Sequence, residues 1–198
     1  MLRLITDYGR IFALLILVVW AAIGDIRTRK IPNRLTASFA LLGFSLQFMG
    51  DVPRGAITSI LGLVAGLIVF LLPYLMGAMG AGDVKLMAAI GALSNWRFVL
   101  VVMLFTALAG GIVVLARRAI KGGLWRTLKR MGHLFLFYLF SLVTLLVPTP
   151  ALIKQKEQHR IDTSDKEQDY MPYAVAIALG SVITLVLAYT GTLRGLSI

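Results

Sequence analysis

Nine acidic residues are spread along a chain of 198, and two of them stand where acids are hard to keep. Asp25 follows directly on an uncharged, mostly apolar run from Ile11 to Gly24. Asp83 opens the apolar stretch DVKLMAAIGAL, just after Gly80-Ala81-Gly82. Of the others, Asp7 is near the first residue, Asp51 is in the turn DVPR, and five fall in a polar loop between 157 and 169. An Asp near the centre of a bilayer costs about 2.5–3.5 kcal/mol on insertion scales, and less near an interface. Such a cost calls for an offset or a use.

If Asp25 and Asp83 converge in a water-filled notch, the chemistry they can do is acid–base. Two carboxyl groups at close range cannot both ionise, so the pair shares a proton. The ionised member can take a proton from water, and the neutral member can donate to a peptide carbonyl, as in aspartic proteases. Plainer roles compete. Asp25 could N-cap the following segment or pair with Arg29, and Asp83 could cap the helix it begins. Lys85, two positions on, does not share Asp83's helical face.

The elements that must position these acids are membrane helices. The chain is 59% hydrophobic and 15% charged, with mean hydropathy +0.86, more apolar surface than a soluble domain of this size can hide. The fold class expected is all-α, a polytopic helical membrane bundle of about six transmembrane helices plus a re-entrant or interfacial segment. Apolar runs and their flanks predict helices over 5–24, 34–50, 55–76, 83–95 and 97–116, and a last one within 170–193. Pro73 breaks the third run, and Gly77, Gly80 and Gly82 close it. Gly62 and Gly66 form a GxxxG read as ordinary close packing.

A helix from Asp83 to about Asn95 reaches only about 18 Å against a core of about 30 Å. With Trp96 and Arg97 at one interface, Asp83 is therefore recessed from the other. The basic residues set the orientation. Arg27, Arg29, Lys30 and Arg34 fall in one loop; Arg117, Arg118, Lys121, Arg126, Lys129 and Arg130 fall in another. Five crossings put both loops on one side, which the positive-inside rule makes cytoplasmic. Asp25 then shares that side with Asp83.

The chain reads as a single integral-membrane domain, 1–198, with an insertion at about 117–169. That insertion comprises a basic amphipathic segment over 117–131, an apolar segment at 133–148 and the polar loop. The first run lacks a small-residue cleavage site and is expected to be a retained helix rather than a signal peptide. The formal charge of +11 is spread between apolar runs, which points to a lipid bilayer with anionic headgroups and not to nucleic acid. The absence of cysteine excludes thiol catalysis and a cysteine zinc site. His133 and His159 are scattered, so no metal and no cofactor are expected.

GDIRTRKIPN (24–33) resembles the first aspartate motif of the type IV prepilin peptidases, and GAGDVKLMAAIG resembles their GxGD motif. MPYAVAIALG (171–180) is similar to the segment that opens their last helix. The three occur in family order. The resemblance implies a membrane aspartic endopeptidase of the bacterial inner membrane that removes the short basic leader of pilin-like precursors at the cytoplasmic face, cutting after a glycine. It assigns the catalytic pair to Asp25 and Asp83, with Gly80, Gly82, Lys85, Pro32 and Asn33 as supporting or substrate-site residues. The chain is most similar in outline to the short form associated with tight-adherence (Flp) pili. It lacks the cysteine-rich domain of the bifunctional members, which leaves N-methyltransferase activity unsupported. If MPYAVA faces the active site, residue 171 starts on the cytoplasmic side and 133–148 is re-entrant or interfacial. The competing function is a proton- or cation-coupled transporter using the same two acids, but the paired broken helices of such proteins are not evident. A structural membrane subunit is third, and would leave two recessed acids without a use.

Overall fold

The structure is a computed structural model that describes residues 2–75, 79–121 and 173–190. All six described elements are helices: α1 (Leu2–Thr28), α2 (Asn33–Gly50), α3 (Arg54–Leu75), α4 (Ala81–Leu93), α5 (Trp96–Lys121) and α6 (Tyr173–Tyr189). Among the described residues there is no strand. Residues 1–110 with 172–198 form one compact unit, and 111–171 form another. The expected surface segment beyond Lys121 and the apolar segment 133–148 lie outside the described residues.

The helices follow the apolar runs but differ from them at their ends. α1 passes Gly24 and continues to Thr28, because the first strong helix breaker is Pro32, and the residue before a proline disfavours helical backbone. Arg29 then adopts the left-handed conformation (φ 54°) that ends many helices. Asp25 therefore lies in the last turn of α1, not beyond it. α2 begins one residue past Pro32, whose fixed φ of −63° suits the N-cap position. Pro73 sits inside α3, near the end of its described span rather than midway. α5 starts at Trp96, where the Asn95 carboxamide accepts the Phe98 N–H at 2.9 Å. It runs to Lys121 and so absorbs the first residues expected for the surface segment.

α4 is the hub of the larger unit. It packs against α1, α2, α3 and α6, and every residue from Asp83 to Leu93 except Lys85 is buried. A helix apolar all round must be enclosed by others, and this one is, although its 13 residues reach only about 20 Å. The approach of α3 is especially close. A Cβ on Gly62 would run into the Gly91 carbonyl, and one on Gly66 into that of Met87. The GxxxG is thus a packing device within the chain.

The core behind the site combines Leu14, Leu17 and Val18 of α1 with Leu86, Met87 and Ile90 of α4 and Ile177 of α6. Two buried polar side chains, Gln47 and Ser59, find main-chain partners. The Gln47 carboxamide donates to the carbonyls of Ala92 and Ser94, both at 2.7 Å, and Ser59 donates to Ala92 at 2.9 Å. The outward faces carry Phe12, Trp20, Leu41, Ile68 and Leu104, all well exposed. A rim this apolar requires lipid as its solvent. Ile5–Thr28 and Arg54–Leu75 are long and apolar enough to cross a membrane, while Trp96–Ile112 and Tyr173–Tyr189 are shorter apolar helices. The molecule is an all-α helical membrane bundle.

Candidate active site

Three helix ends meet where the two recessed acids lie: the last turn of α1 and the first turns of α4 and α6. Asp25 is 3% exposed and Asp83 is 8% exposed. They lie close enough for Asp83 to feel the charge of Asp25.

Asp83 occupies the third position of α4. Its carboxylate accepts the Gly80 N–H at 3.2 Å, and its own N–H reaches back to the Gly80 carbonyl at 3.1 Å. The capping role considered for Asp83 is therefore realised, and it leaves the second carboxylate oxygen for other work. Gly80 adopts extended backbone (φ −81°, ψ 152°) at the N-cap, which turns the chain so that the carboxylate can fold back. Gly82 serves a different purpose. A Cβ there would come within 3.1 Å of Ile31 Cβ, tighter than ordinary contact, so its absence lets the α1–α2 connection lie against the start of α4.

Asp25 accepts the Ala174 N–H at 3.2 Å in the first turn of α6. The first four N–H groups of a helix have no partner within it, and a carboxylate at that end is favoured by the helix dipole. The N-cap reading of Asp25 for the segment that follows it does not hold: Pro32 occupies that position, and Asp25 instead accepts an N–H at the start of a helix 149 residues away in sequence.

The supporting residues are brought together in part. Lys85 Nζ donates to Asn33 Oδ1 at 2.9 Å, tying the start of α4 to the start of α2. Both side chains are exposed, so the tie borders the buried pair rather than joining it. Pro32 contributes backbone, its carbonyl accepting the N–H groups of Leu35 and Thr36. Sequence reasoning singled out the segment 171–180 but none of its residues. The signal for Ala174 was Pro172 followed by a helix, which leaves unpaired N–H groups aimed outward at a known place. Tyr173, half-buried and within electrostatic reach of Asp83, was missed for the same reason.

A polar cavity of about 370 Å³ lies at the other end of α1, α2 and α4. Thr6, Asp7, Arg10, Gln47, Asp51 and Arg54 are among its lining residues. There Asp7, 44% exposed, is ion-paired with Arg10 one helical turn away. Among the described residues no group of three or more His, Cys, Asp or Glu side chains converges.

A helical membrane bundle holding two buried aspartates on helix termini is the class of protein that fold and site define. Residues 12–115 match the type IV leader peptidase family, and the chain belongs to that family. It is similar to the prepilin leader peptidase/N-methyltransferase of Pectobacterium carotovorum subsp. carotovorum, with 33% identity over 122 residues, covering 58% of this chain and 43% of that protein. It is also similar to the protein of the same description from Aeromonas salmonicida (strain A449), with 32% identity over 121 residues, covering 56% of this chain and 41% of that one. The chain thus spans less than half the length of the curated relatives it matches. No solved structure matches it.

Proposed function

We propose that the chain is a membrane aspartic endopeptidase that removes the short basic leader of a pilin-like precursor, with Asp25 and Asp83 activating water. The observation that carries this reading is the meeting of two buried aspartates at one end of the bundle, both inside the family-matched segment 12–115. In the reaction, the ionised member of the pair takes a proton from a water molecule as it attacks the scissile carbonyl. The neutral member donates its proton to the carbonyl oxygen. Collapse of the tetrahedral species returns a proton to the leaving amine, and the pair again holds one proton between two carboxyls.

A recessed pair is reached by an extended segment that continues into a membrane helix, which fits a leader followed by an apolar helix. The basic residues Arg27, Arg29, Lys30 and Arg34, which follow Asp25 in sequence, support a cytoplasmic site in the inner membrane. Cysteines placed singly at Arg29 and Arg118 of this cysteine-free chain should resist an impermeant thiol reagent on intact spheroplasts. Ready labelling would reverse the orientation. An association with Flp-type pili belongs to the same proposal.

The decisive test is co-expression with a pilin precursor and a gel for leader loss. Cleavage after the leader glycine is the expected result. No cleavage of any pilin-like precursor, together with proton or cation flux in vesicles that Asp25→Asn abolishes, would favour the transporter.

A further inference from the structure

Tyr173 is the first residue of α6 and stands beside both aspartates. The Ala174 nitrogen, whose N–H donates to Asp25 at 3.2 Å, is bonded to the Tyr173 carbonyl carbon. The Tyr173 Cα therefore lies within roughly 6 Å of that carboxylate. Its side chain starts on the inward face of the helix. Tyr173, Ile177 and Ser181 follow one another at four-residue spacing, and Ile177 and Ser181 are fully buried in a helix that packs along α1 and touches α4. Cβ atoms tilt toward the N-terminus of their helix. A side chain at the first position is thus directed past the helix start, where the acid pair lies. Tyr173 is half-buried and within electrostatic reach of Asp83, and among the described residues none is hydrogen-bonded to its hydroxyl. A tyrosine that only anchors a helix in the bilayer turns outward to the headgroups, as Tyr189 does at the far end of α6, 63% exposed. Tyr173 does not.

We propose that the Tyr173 hydroxyl is a substrate-contacting donor of the proteolytic site, giving a hydrogen bond to the oxygen of the scissile carbonyl as water attacks. The proposal rests on the peptidase reading above. A carbonyl oxygen has two lone pairs: the neutral aspartate serves one and the phenol serves the other. The phenol keeps its proton throughout, so the two aspartates still hold one proton between them when the reaction ends. Negative charge on that oxygen grows only in the transition state. Loss of the donor therefore lowers kcat and leaves KM nearly unchanged.

Tyr173→Phe removes the hydroxyl and keeps the ring, and Tyr173→Ala removes both. Tyr189→Phe removes a hydroxyl from the other end of the same helix as a control. Each full chain is purified into lipid nanodiscs and assayed on a pilin-like precursor, with rates normalised to the monodisperse fraction on size exclusion. A precursor peptide carrying a hydroxyethylene group in place of the scissile bond reports binding of a transition-state-like oxygen. Tyr173→Phe should lower kcat roughly 10- to 100-fold with KM within about twofold, and weaken the hydroxyethylene peptide by a similar factor. Tyr189→Phe should match the parent. Parent-like cleavage by Tyr173→Phe would overturn the proposal, and a loss confined to Tyr173→Ala would assign the residue to packing. A rise in KM with kcat unchanged, or undiminished binding of the hydroxyethylene peptide, would overturn it as well. In each of these cases an inactive Asp83→Asn leaves the peptidase reading intact. Retained cleavage in both Asp25→Asn and Asp83→Asn would instead remove the reading on which the proposal stands.

Discussion

The two ends of the bundle each hold two aspartates and treat them differently. At one end Asp7 is 44% exposed and pairs with Arg10 on the same helix face, while Asp51 lies in the turn between α2 and α3, beside the same open cavity. At the other end Asp25 and Asp83 are buried and accept backbone N–H groups at the starts of α6 and α4. The Asp7 carboxylate of this i,i+3 pair is open to solvent, although Arg10 is largely buried, and helix-surface pairs of this kind contribute on the order of a few tenths of a kcal/mol. A buried carboxylate held by main chain cannot move away from its partner, and the environment can set its protonation. The lesson is that residue type alone does not set an acid's surroundings: at one end the partner is a side chain, at the other the main chain at a helix start.

The comparison can be broken most severely at the contact that holds α4 in place. Gly91→Val puts a branched side chain where the Gly62 carbonyl already lies. Since α4 carries Asp83, both the fold and the cleavage should be lost, and the variant should fail to accumulate in membranes. Overpacking of this kind typically costs several kcal/mol when backbone cannot yield.

A smaller effect separates stability from chemistry. Gln47→Leu removes the donor to the buried carbonyls of Ala92 and Ser94 at the end away from the acid pair. It should lower stability by about 1–3 kcal/mol, read as a drop in the detergent melting temperature. The folded fraction should still cleave at the parent rate. Lys85→Met deletes the exposed tie to Asn33 and should slow cleavage only a few-fold, with stability changed by no more than about 1 kcal/mol. A complete loss of activity there would place Lys85 inside the reacting site rather than at its border.

Much of this was legible in the sequence because the bilayer restricts the options. Apolar runs long enough to span must be helices, and an acid joined to such a run is conspicuous on cost alone. The pair Asp25 and Asp83, the closeness permitted by Gly82 and the packing use of Gly62 and Gly66 could all be read that way. Helix ends were less legible. Whether α1 stops at Gly24 or Thr28 depends on Pro32 and on a partner 149 residues distant, and local pattern carries no record of that partner. The Ala174 contact is main chain, so no side-chain signature announces it. The Lys85 bond to Asn33 joins two motifs whose spacing in sequence says nothing of their distance in space.

The measurement that bears most directly on the central claim compares four single substitutions in one cleavage assay: Asp25→Asn, Asp83→Asn, Asp7→Asn and Asp51→Asn. Each keeps the shape of the side chain and removes its proton chemistry. With the precursor co-expressed and membrane levels matched, Asp25→Asn and Asp83→Asn should each reduce leader removal by about a thousandfold or more. The double variant should be barely worse than either, because groups that act as one unit are strongly non-additive. Asp7→Asn and Asp51→Asn should cleave within about twofold of the parent. Substantial cleavage by either Asp25→Asn or Asp83→Asn, or equal losses at both ends of the bundle, would contradict the assignment of the chemistry to the buried pair.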